Sequence, residues 1–89
     1  MAVKLITYDL KRSGRRYAKL HDEIKSVGDW WHYLESTWLV DTSLSCDDIV
    51  DRLHKHTDPG DGLLVVDVSG ADRQGWLSQD AWGWIIRHW

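Results

Sequence analysis

The chain has 89 residues, a net charge of −3 and one cysteine, Cys46. That length gives one small domain burying roughly 60–65% of its unfolded surface, marginal alone and often stabilised by oligomerisation. A lone cysteine excludes a disulfide framework, no apolar run approaches the ~20 residues of a membrane span, and the acidic balance disfavours broad wrapping of nucleic acid.

Residues 3–10 are β-branched and apolar and read as a first strand, ending in Tyr8-Asp9. A polar, basic stretch follows: Lys11, Arg12, Ser13, Gly14, Arg15, Arg16, then Lys19, with no acidic residue between 11 and 19. Ser13 and Gly14 can start a helix whose Tyr17, Leu20, Ile24 and Val27 form an amphipathic stripe. Gly28 lies where a left-handed C-cap is expected.

Residues 30–40 read as one long second strand. One face carries Trp31, Tyr33, Glu35, Thr37 and Leu39; the other carries Trp30, His32, Leu34, Ser36, Trp38 and Val40. Large apolar groups on both faces mean that neither is simply solvated. Ser43 or Ser45 caps a second helix, with Asp47 and Asp48 in its first turn and Cys46, Ile49, Val50 and Leu53 as its stripe. Asp58-Pro59-Gly60-Asp61-Gly62 is a turn, and Leu63 to Val68 a third strand. Gly75-Trp76-Leu77 reads as a short edge strand. Ser78 caps a last helix in which Trp82, Ile85, Ile86 and Trp89 recur at helical spacing.

This order predicts a ferredoxin-like α+β domain: an antiparallel sheet, two helices on one face, and a C-terminal tryptophan-rich helix. The second sheet face needs cover, from the C-terminal helix or from a second copy of the chain.

Asp9 is the foremost chemical candidate. A carboxylate at a strand end can hold Mg²⁺, which takes hard oxygen ligands and often needs only one or two protein carboxylates. In a two-fold dimer two copies of Asp9 could converge. The plainer role is a strand-end aspartate accepting N–H groups from the next loop. Arg12, Arg15, Arg16 and Ser13 suit phosphate, since guanidinium forks match it bidentately and a helix N-terminus adds N–H donors. The plainer role there is a solvated basic turn. The seven tryptophans could stack bases, but Trp30, Trp38, Trp82 and Trp89 fall at core or interface positions. Trp31 and Tyr33 suit exposure or a dimer contact. His54 and His56 point apart on a helix, and no zinc, triad or dinucleotide pattern is present.

A strand ending in Tyr8-Asp9, an arginine-containing loop and this order of elements resemble CRISPR-associated protein 2, over about residues 3–68. The toxin family VapD looks similar in the same way. Thr7-Tyr8-Asp9-Leu10, Asp29 to Trp38, Thr42-Ser43-Leu44-Ser45 and Gly75-Trp76-Leu77 resemble, over almost the whole chain, small bacterial proteins labelled "SinR family" and also described as Cas2-like. The resemblance implies a ferredoxin-like homodimer and a Mg²⁺-dependent nuclease acting on RNA or DNA. Asp9 would bind metal, Tyr8 would orient it, and Arg12, Ser13, Arg15 and Arg16 would hold phosphate. The sequence departs from CRISPR-associated protein 2 at its C-terminus, where a helix replaces the final strand which that family exchanges between protomers. The alternative is a non-catalytic dimeric module binding nucleic acid or protein, including a toxin-like component. No signal peptide is evident and a lone thiol suits a reducing cytosol, so the expected compartment is cytoplasmic, with no membrane partner.

Overall fold

The structure, a computed structural model, describes residues 1–11 and 17–89. Its elements are β1 (Ala2–Asp9), α1 (Ala18–Ser26), β2 (Asp29–Leu34), β3 (Thr37–Thr42), α2 (Cys46–His54), β4 (Gly62–Asp67) and α3 (Gln79–His88). The four strands form one antiparallel sheet in the order β2-β3-β1-β4. Among the described residues no helix is long and apolar enough to cross a membrane.

The long strand expected over residues 30–40 is a hairpin. It breaks at Glu35-Ser36, and Trp30 pairs with Val40, Trp31 with Leu39 and Leu34 with Thr37. A register irregularity lies between Trp31 and Leu34. An extra residue on one strand re-aims the side chains beyond it, and Leu34 accordingly lines the same cavity as Trp31.

Period-two alternation sends β1 into two cores. Ile6 and Tyr8 join Trp38 and Val40 beneath the buried α1 residues Leu20 and Ile24 and the α2 residues Ile49 and Leu53. Val3 joins Trp31 and Leu39 beneath Ala81, Trp84 and Ile85 of α3. The sheet is therefore apolar on both faces, and the chain's own C-terminal helix covers part of the second one, leaving Leu64 and Val66 of β4 exposed. Trp31, a candidate for exposure or a dimer contact, is only 2% exposed, and its Nε1 donates to the Ala81 carbonyl at 3.1 Å.

Ser45 is the cap of α2, its hydroxyl accepting the Asp48 N–H at 3.1 Å. Ser78 caps α3 through the Ala81 N–H at 3.2 Å. The buried stripe of α3 is rotated from the expected one: Ala81, Trp84 and Ile85 face the sheet while Ile86 is 76% exposed. At its far end His88 Nδ1 meets the Asp41 carboxylate at 2.8 Å, tying α3 to β3. Ser78→Ala should cost about 1 kcal/mol, the usual worth of such a cap. In a domain of this size that lowers the melting temperature by roughly 4–8 °C, which a thermal melt followed by circular dichroism would read.

Two glycines are set by geometry. Gly28 keeps a negative φ, so the expected left-handed cap is not formed. It is needed for close approach, because a Cβ there would run into the Asp41 carbonyl oxygen. Gly60, with φ +93°, follows Pro59 in a turn closed by the Asp61 N–H on the Asp58 carbonyl at 3.0 Å. That pattern of proline then a left-handed residue is a type II turn. The edge strand expected at Gly75-Trp76-Leu77 pairs with no strand among the described residues.

Candidate functional site

Asp9 ends β1, the strand flanked by both β3 and β4, opposite Gly62 of β4. Glycine opposite it leaves room at the sheet's edge, and the Asp9 side chain is 79% exposed. Lys11 Nζ approaches Asp9 Oδ2 at 3.2 Å. An exposed pair of this kind contributes little to stability and is free to exchange partners. Thr7, Tyr8, Gly62, Leu63 and Leu64 complete a shallow depression around Asp9.

The turn at residues 58–61 positions this end of β1. Asp61 accepts the Lys11 N–H at 2.7 Å, the Asp58 N–H at 2.7 Å and the Tyr17 hydroxyl at 3.0 Å. The backbone N–H of Lys11, then that of Asp58, hold the Asp61 carboxyl below its usual range. One carboxylate thus ties the exit of β1, the entrance of α1 and the turn before β4 together. Sequence reasoning found the turn but not this role, since the contact joins residues 50 positions apart.

Tyr8, expected to orient a metal at Asp9, borders the same depression but turns its ring into the core. Neighbours on a strand project to opposite faces, and Tyr8 is buried beneath α1. Its hydroxyl accepts the Trp38 Nε1–H at 3.0 Å and meets His21 Nε2 at 3.1 Å. His32 stacks on Trp38 with ring centroids 3.7 Å apart, and donates to the Glu35 carbonyl at 3.0 Å. Burial lifts the Tyr8 phenol above its usual value. The indole can only donate, so the phenol oxygen accepts there, while the direction of its bond with His21 follows the imidazole tautomer.

Burial, then the nearby His32 and Lys25, push the His21 imidazole below its ordinary value. The unfolded chain therefore takes up a proton there more readily than the folded one. This contribution to stability is complete above about pH 6.5 and falls as the pH drops below it towards the folded value. Urea unfolding at pH 7.5 and 5.5 should show that loss, and His21→Gln should flatten it.

Arg12, Ser13, Arg15 and Arg16, the expected phosphate ligands, lie outside the described residues, as does the expected helix start at Ser13-Gly14. No group of three His, Cys, Asp or Glu side chains able to hold a metal ion occurs among the described residues. Among the described residues, Lys11 is the ion-pair partner of Asp9.

No family model matches the chain, and no curated protein matches it. A solved structure does: a hypothetical protein, TT1823 from Thermus thermophilus, is 23% identical over 86% of this chain and 94% of its own, with a TM-score of 0.63. At that identity the likeness is one of fold.

Proposed function

We propose that the chain is a ferredoxin-like, Cas2-like protein that works as a cytoplasmic homodimer on RNA or DNA, hydrolysing phosphodiesters with Mg²⁺ at Asp9. The order β-α-β-β-α-β, with both crossover helices on one sheet face, supports the fold assignment. The observation that carries the activity is Asp9 itself: an exposed carboxylate at the open end of the central strand, followed by five cations within residues 11–19.

The residues fit a water-rich Mg²⁺ site, since that ion keeps several waters and needs only one or two carboxylates beside a substrate phosphate. Bound there, Mg²⁺ would polarise the phosphodiester and make a water more acidic. Asp9 would hold it, and Lys11 Nζ, released from Asp9, would turn to the phosphate. Arg12, Ser13, Arg15 and Arg16 would grip neighbouring phosphates, and Asp61 would fix the exit of β1. Tyr8 supports this end of the sheet from within the core. One protomer offers one carboxylate, so a two-fold pair bringing two copies of Asp9 together makes the better site.

The five cations within residues 11–19 also support a second reading, a dimer that binds nucleic acid without cutting it. Labelled RNA and DNA separate the two. Cleavage in Mg²⁺ that stops in EDTA supports hydrolysis. Binding without cleavage, weakened by salt and by Arg15→Ala with Arg16→Ala, supports the binding module.

A further inference from the structure

We propose that the cavity beneath α3 receives the Trp76 indole of a second copy of this chain, exchanged reciprocally across a two-fold axis. The inference rests on the homodimer reading and adds the surface that makes the dimer.

The cavity, of about 220 Å³, lies between the sheet and α3, walled by Trp31, Leu34, Leu39, Trp82, Ile85 and Trp89. Pockets for drug-sized ligands run to ~300–1,000 Å³, so this one suits a single large side chain better than a cofactor. Its rim cation is already engaged. Arg73 lies 4.9 Å over the Trp89 ring and donates to the carbonyls of Ala71 at 3.4 Å and Trp89 at 3.3 Å. That favours a neutral, apolar occupant over an anion.

Such an occupant protrudes beside the opening. Trp76 is 99% exposed, and its neighbours Gln74 and Leu77 both line the cavity. A buried indole removes about 150–250 Å² from water, so one left wholly exposed forgoes that gain unless a partner takes it. Knob and hole belong to one stretch of the chain, since Trp76 lies between Gln74 and Leu77 of the cavity wall. A two-fold interface needs a self-complementary patch of this kind, in which each copy gives and receives the same group. Leu34 on the cavity wall is itself 49% exposed, which extends the apolar patch past the opening.

Light scattering across micromolar concentrations tests this with Trp76→Ala and Leu34→Trp. The first removes the knob from a position whose side chain is solvated in the protomer, so folding is preserved. The second fills the hole from the chain's own β2. Each should weaken the dimer on the order of 30-fold for every indole kept out of its hole, the scale of an interface hot spot. Mixing the two variants should restore part of the association, because one intact knob then meets one open hole. A wild-type dimer unchanged by both substitutions overturns the exchange but leaves the homodimer standing. Dissociation by Trp76→Ala alone overturns the cavity as its receptor. A monomeric wild type overturns both.

Discussion

Trp38→Ala should unfold the protein or bring it close to unfolding. Trp38 is 1% exposed, lies in the core beneath α1 and α2, and stacks on His32. Truncating a buried tryptophan costs about 3–5 kcal/mol, through reduced burial and the cavity left behind. Small domains hold only about 5–15 kcal/mol in total, and those of this size stand near the bottom of that range. Here the loss is compounded, because the Tyr8 hydroxyl loses its indole donor and His32 its stacking surface. At roughly 4–8 °C per kcal/mol the melting temperature should fall by at least about 12 °C. Trp38→Phe separates the two contributions, keeping most of the ring and removing the N–H. It should cost about 1–2 kcal/mol, the scale of one unmade hydrogen bond at a buried site. Equal losses for the two variants, in urea or thermal melts, would mean that the N–H rather than the packing dominates. A Trp38→Ala melt within a few degrees of wild type would displace Trp38 from the centre of the core.

The hairpin shows where sequence pattern fails and why part of the reading survives. Glu35-Ser36 contains no glycine, proline or asparagine, the usual residues of a tight hairpin turn. The local mark is only the polar run Glu35-Ser36-Thr37, which β-branched and aromatic neighbours on both sides outweigh. Yet the cross-strand partners Trp30↔Val40 and Trp31↔Leu39 have the same parity. A fold-back in that register returns each residue to the face that a single strand would have given it. Hence Trp30 and His32 still share a face with Trp38, as their ring contacts show. Leu34 is the exception, because the register irregularity before it changes its face.

The Ser78 cap, the choice of Ser43 or Ser45 for α2, and the stripes of α1 and α2 were legible because they depend on contacts three or four residues apart. The rotation of α3 was not. A helix with tryptophans at 82, 84 and 89 and isoleucines at 85 and 86 has apolar groups around most of its circumference. The small Ala81, whose carbonyl meets Trp31, decides which side packs. The same limit hid Asp61 and His21, whose partners come from distant segments. At the candidate site the sequence located Asp9 and its exposed strand end. What it did not give is that the Tyr8 ring turns into the core, where Trp38 and His21 take its hydroxyl.

Asp9→Asn should abolish Mg²⁺-dependent cleavage while leaving the melting temperature unchanged. The side chain is largely solvated and its contact is with the exposed Lys11, so little stability depends on its charge. A metal ligand at the reacting phosphate is different, since the ion supplies several kcal/mol of transition-state stabilisation. At 1.36 kcal/mol per tenfold, its loss removes two decades or more of rate. Cleavage that persists in Asp9→Asn would place the activity elsewhere or in a contaminant. A mixing experiment then reads the symmetry. If each site draws one carboxylate from each protomer, equal amounts of wild type and Asp9→Asn, allowed to exchange subunits, should retain about a quarter of the wild-type activity per dimer. Independent sites would retain about half. The quarter has one physical origin: a lone exposed carboxylate is a weak Mg²⁺ ligand, and two from opposing protomers neutralise the ion together.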